Sequence, residues 1–267
     1  MRGWPRHAPY TAPVRVMVLS LALSLAACGG AAKTAADADG DQPESPEMSA
    51  QKALEALETT PEQEDQLLAL VGKFAIVLSK SGKARRAFAD ALIASILVGR
   101  VNPDVINPAR ADFEQAIQDA TPEVLQLINE LHGILTPVQR AKLVDSFAAR
   151  HEASEAKRKA RNQEMMDRLD IGMMQKLAIA QALKDELGPM RPAFEQMKQD
   201  AAAAGEAFKR DDFDATQLAL GKTDLGKLYL ETVVALVGAM APELEPEQRV
   251  KLAGIIKHRL KGGGRKR

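Results

Sequence analysis

The chain has 267 residues, 36 basic against 36 acidic side chains and a formal charge of zero, with 46% hydrophobic residues but only 4% aromatic ones. Evenly mixed charge argues against a duplex nucleic-acid binder, which needs a basic stripe to displace counterions along the phosphates. A single cysteine excludes a disulfide framework and a cysteine metal knuckle, so packing has to hold the fold, and the many alanines suit closely spaced helices.

At the N-terminus Arg2, Arg6 and Arg15 precede an apolar run from Val16 to Ala27. About 12 residues match the length of an export-signal core and fall short of the ~20 that span a bilayer. Residues 1–27 are therefore expected to be a signal peptide. Its end, Leu25, Ala26, Ala27 and Cys28, resembles the lipobox of bacterial lipoproteins. The resemblance implies that Cys28 becomes the first residue after cleavage and carries a diacylglycerol on its thiol and a further acyl chain on its amino group. Two or more chains make such an anchor effectively permanent. Without residues 1–27 the basic count drops by three to 33 against 36 acidic, a charge of −3. Residues 28–50, rich in Ala, Asp, Gly, Pro and Ser, read as a solvated acidic tether.

From about residue 51 to residue 260 the pattern is helical. Leu67, Val71, Phe74 and Leu78 recur at helical spacing, as do Phe88, Leu92 and Ile96, then Val124, Leu127 or Ile128 and Leu131. Further stripes are Met173, Leu177 and Ala180, and Met190, Phe194, Met197 and Ala201. No stretch alternates as a strand does, so an all-α protein is expected. Arg150 to Arg168 bears charge on nearly every face without Gly or Pro, and reads as a connector that extends the preceding helix. Residues 261–267 form a glycine-loosened basic tail.

Helix starts carry the most information. Thr136 caps through its hydroxyl, Pro137 fits the first helical position, and Gln139 reaches back to complete a capping box after Leu135. Thr60, Pro61 and Gln63 repeat this arrangement; so do Leu244, Pro246 and Gln248, with Glu245 replacing the capping threonine. Aligning LTPVQRAKLV (135–144) with LEPEQRVKLA (244–253) matches six of ten positions at an offset of 109 residues. Such a period is too long for a solenoid and indicates a duplicated helical unit, 51–160 and 161–260. A matching opening motif is not evident between Leu169 and Gln175.

These motifs resemble the Spy/CpxP family of bacterial periplasmic proteins, named for LTxxQ. The resemblance is strongest at 121–151 and 226–260. It implies two tandem helical hairpin units forming a thin curved shell, with the family's antiparallel dimer made either inside one chain or between two. It further implies a membrane-anchored periplasmic protein, with the outer membrane favoured by Gly29 after Cys28. The implied role is that of an ATP-independent chaperone or envelope-stress adaptor for unfolded or partner proteins, not an enzyme and without a cofactor. Alternatives are a scaffold for one specific envelope partner or a metal-responsive sensor. Methionine adapts to varied partners, which marks Met165 and Met166 as candidate client contacts, whereas Met173 and Met190 read as core fillers that continue apolar stripes.

Other signatures carry little. Gly221, Lys222 and Thr223 imitate the end of a phosphate-binding loop, but Thr216 stands where its first glycine belongs. His151, Glu152 and Glu155 share a helix without the second histidine of a zinc site, so no metal ligand is assigned.

Overall fold

The computed structural model describes residues 56–218 and 225–261, with the backbone alone at 148, 150–159, 161, 225 and 258–261. Cys28, the tether, the Gly221 to Thr223 triplet and the tail from 262 onward lie outside the described residues, as do the side chains of His151, Glu152 and Glu155. The described residues form eight α-helices and no strand, as the periodicity predicts. The helices are α1 (Pro61–Lys80), α2 (Gly82–Val98), α3 (Pro103–Ile134), α4 (Pro137–Arg168), α5 (Met173–Leu187), α6 (Arg191–Lys209), α7 (Leu225–Met240) and α8 (Pro246–Lys261). Short 3-10 turns stand at Gly188–Met190, Ala215–Gln217 and Ala241–Glu243.

Local chemistry sets most of the helix starts. Thr60 and Thr136 each accept a hydrogen bond from the backbone N–H three residues on, and Gln63 and Gln139 each accept from the N–H of the capping threonine. A cap of this kind contributes about 1 kcal/mol. Asn102 caps α3 by accepting from the Asp104 N–H. α3 then runs through two internal prolines, Pro108 and Pro122. Each costs about 3 kcal/mol in an unsupported helix, and α3 is held against α1, α2 and α7 along its length.

α1 and α3 form an antiparallel hairpin, shown by the pairs Lys73 with Glu130 and Lys80 with Glu123. α5 and α7 repeat it, with Gln175 near Glu243 at one end and Met190 near Thr232 at the other. The remaining helices cross over. α2 lies against α8, and Ile96 joins Leu169, Ile171, Ile179, Leu244 and Leu252 in one core cluster. α6 lies against α4, and Phe208 joins Leu67, Phe74, Ile128, Leu131 and Leu143 in another. A third cluster, with Phe88, Leu92, Ile106, Phe113 and Leu230, joins α2, α3 and α7 between them. Fully burying side chains such as Phe74, Ile96 and Leu230 contributes about 2 kcal/mol each. α4 passes unbroken through residues 160 and 161, and the cores draw residues from both sides of that expected boundary.

Two sequence expectations need correction. The stripe Met173, Leu177, Ala180 faces solvent instead of the core; the buried row of α5 is offset from it, with Ile179 and Leu183 on the inside. Met173 is therefore no core filler, while Met190 is partly buried. The second half also has an opening motif. Gly172 stands at the N-cap of α5 and donates its N–H to Gln175 Oε1 at 3.1 Å, so the backbone half of the box forms without a threonine.

Candidate functional site

The motif glutamines meet in pairs. Gln63 and Gln139 lie side by side, each Nε2 donating to the other's Oε1 at 3.0 Å. Gln63 Nε2 also donates to the Ile134 carbonyl at 2.8 Å and Gln139 Nε2 to the Glu58 carbonyl at 3.3 Å. Since each Oε1 already accepts from its N-cap N–H, both amides use two donors and two acceptors, which is their full capacity. Gln175 and Gln248 reproduce the network at 2.9 and 3.2 Å, with Nε2 bonds to the carbonyls of Glu243 and Asp170 at 3.0 Å each. Gln248 Oε1 accepts from the Glu245 N–H at 2.9 Å. A carboxylate would lack every donor in this arrangement, which explains the glutamine in the motif.

The carbonyls of Glu58 and Asp170 are turned toward the clasps by a left-handed backbone, φ 54° at both. Their predecessors Leu57 and Leu169 are buried. The repeat thus extends beyond the aligned motif to a strained corner in front of each opening helix.

The arginine after each closing glutamine reaches across the molecule. The Arg140 side chain is 5% exposed; its Nη1 donates to the Arg210 carbonyl at the end of α6 at 3.0 Å, and Nη2 pairs with the Asp211 carboxylate. Arg249 donates from Nη1 to the Leu244 carbonyl at 2.9 Å and lies beneath Gly99, the left-handed cap of α2 with φ 80°. A methyl group on Gly99 would stand 2.5 Å from Arg249 Nη1. Both guanidinium groups sit at helix C-termini, where exposed carbonyls favour a cation. Around Arg140, the Asn129 side chain donates to Asp214 and accepts from the Ala215 N–H, and His132 lies among Arg140, Phe208 and Phe213.

Ionisation follows these contacts. Lys142 holds the Glu58 carboxyl below its usual range, and hydrogen bonds from Asn129 and Thr216 do the same for Asp214. Glu62 is lowered by its own N–H in the first turn of α1 and by the Thr60 hydroxyl. Lys209 is raised by Glu206 and Asp145. Burial is the main reason the His132 imidazole is pushed below its ordinary value.

Every capping residue predicted from sequence therefore falls in or beside a clasp: Thr60, Pro61, Gln63, Leu135, Thr136, Pro137 and Gln139 in the first, Leu244, Pro246 and Gln248 in the second. In the structure they fasten helix starts to one another. Met165 and Met166 are half-buried against the cluster holding Leu169 and Ile179. Met173, Met174 and Leu177, at i, i+1 and i+4 on α5, are 79%, 77% and 57% exposed. Among the described residues no group of three His, Cys, Asp or Glu is placed to hold a metal ion, and no helix is long and apolar enough to cross a membrane.

No family model, curated protein or solved structure matches this chain. The geometry itself defines the class: an all-helical protein built on two equivalent glutamine-clasped helix pairs, with a helix of each half seated in the core of the other.

Proposed function

We propose that this protein is a lipid-anchored periplasmic binding protein that captures unfolded polypeptide without nucleotide, with the chain folded as an internal pseudo-dimer of two LTxxQ units. The observation that carries the binding role is the adjacent trio Met173, Met174 and Leu177 on α5. Flexible apolar side chains that stand free of the core give weak, adaptable contact with many sequences. Lys176 and Asp167 beside them keep the rim charged and the capture reversible. Met165 and Met166 pack against the buried cluster that holds Ile179 of α5. The pseudo-dimer is supported by the reciprocal placement of α2 and α6 and by the two equivalent clasps. The anchor rests on Leu25 to Cys28.

Purified protein without lipid is expected to suppress aggregation of a reduced, unfolded client in the absence of ATP. Replacing Met173, Met174 and Leu177 together by serine should weaken suppression severalfold with the circular dichroism and Tm unchanged. Undiminished suppression by this triple variant would refute the assignment of the face. Crosslinking in cells that returned one dominant folded partner would favour a scaffold instead. Mass spectrometry of the processed N-terminus reads the acylation of Cys28 directly.

A further inference from the structure

Arg140 and Arg249 anchor two equivalent joints, yet the residues at the corresponding sequence positions nearby differ. His132 in α3 corresponds to Ala241, and Asn129 to Gly238, at the 109-residue offset of the closing motifs. His132 is buried, and its Nε2 lies 2.8 Å from the Arg210 carbonyl and against the Arg140 guanidinium. Its ring meets Phe208 edge-on at 5.2 Å between centroids and Phe213 at 4.9 Å. The imidazole therefore fills the space between α3, α4, the end of α6 and the following turn. We propose that His132 makes the first joint a pH-sensitive latch: protonation beside Arg140 releases the end of α6 and the turn 210–214 from α3 and α4, while the second joint is indifferent to acid.

The surrounding charges give an imidazolium little compensation. From α4 the facing group is Arg140, a cation. From the turn it is Asp211, whose side chain is 82% exposed and already pairs with Arg140. The other charged groups at the joint have partners of their own: Arg210 with Asp212, Lys209 with Asp145 and Glu206, and Asp214 with Asn129 and Thr216. On the outer face of α3, Glu130 pairs with Lys73. α6 offers the ring of Phe208. A second positive charge in this space is opposed by desolvation and by Arg140, and favoured only by the Arg210 carbonyl and the exposed Asp211. The unfolded chain, with histidine at its ordinary 6.5, takes the proton first. The contribution of neutral His132 is therefore whole above that value and is lost as the pH falls from it through the lower folded value. Release would uncover Phe208 and Phe213, adding aromatic surface to the molecule.

Hydrogen exchange of the full chain, read by mass spectrometry at about pH 7.5 and about pH 5 and corrected for intrinsic rates, tests this latch. Protection of residues 205–217 is expected to fall roughly tenfold in acid while that of 95–102 holds. In His132→Gln, which keeps a donor for the Arg210 carbonyl, the acid effect should vanish. Equal loss at both joints, no loss at either, or an acid effect that persists in His132→Gln overturns the proposal. A second readout needs no variant to fold: NMR titration of the unsubstituted chain should show one imidazole titrating below the ordinary range together with the aromatic signals of the joint. A His132 imidazole that titrates at the ordinary value also overturns it.

Discussion

The two joints solve the same problem with different chemistry. Each seats a motif arginine at the C-terminus of a helix from the other half, Arg140 at α6 and Arg249 at α2. Around Arg140 the chain supplies Asn129, His132, Phe208 and Phe213; beside Arg249 it supplies the left-handed Gly99, and the positions that correspond to Asn129 and His132 hold Gly238, close to Val101, and the buried Ala241. The first joint is polar, aromatic and titratable, whereas at the second the guanidinium packs closely against a glycine cap. The two closing motifs thus share the fastening arginine while the residues near it differ.

The clasps, by contrast, are alike, and the largest expected effect tests that likeness. Gln139→Leu and Gln248→Leu each strand part-buried amide and carbonyl groups and should each cost about 2.5 kcal/mol of unfolding free energy by urea titration. Adding Gln63→Leu to Gln139→Leu should cost less than its effect alone, since the two amides satisfy one another. Strict additivity would show that the amides act independently. At the second joint, Gly99→Ala should cost about 2 kcal/mol, from the left-handed φ and the approach to Arg249. Part of that cost should disappear in an Arg249→Ala background, where only the φ term remains. At the first joint, Asn129→Ala should cost about 1.5 kcal/mol. It should also return the Asp214 carboxyl toward its ordinary value, as read by carboxyl NMR, because the Asn129 hydrogen bond is the main cause of its lowering. The smallest effect belongs to the ion pairs across α1 and α3. Lys73→Met or Lys80→Met should change stability by less than about 0.5 kcal/mol, since both pairs are half open to water. A larger loss would mean that these pairs, and not the clasp, set the register of the first hairpin.

Legibility in the sequence followed range. The boxes at Thr60 and Thr136 were readable because donor and acceptor lie three residues apart. The stripe Phe88, Leu92, Ile96 was readable for the same reason, and all three are buried. α5 misled because it carries apolar residues on two rows, and spacing alone does not say which row meets the core; Ile179 does, and Met173 and Leu177 do not. The opening of α5 is not legible in the sequence because Gly172 has no hydroxyl to announce a cap, although Gln175 still performs its half. The same reading of α5 hid the exposure of Met173, Met174 and Leu177.

By itself the sequence determined the helical class, the proline-started helices and the existence of two related closing motifs, because propensity, capping and periodicity act within a few residues. Only the tertiary structure decided that the glutamines pair across 76 and 73 residues, that α2 and α6 are seated in each other's halves, and that a histidine lies against Arg140. Those outcomes depend on which helices share a core, and that is settled by burial and hydrogen-bond satisfaction between segments far apart in the chain.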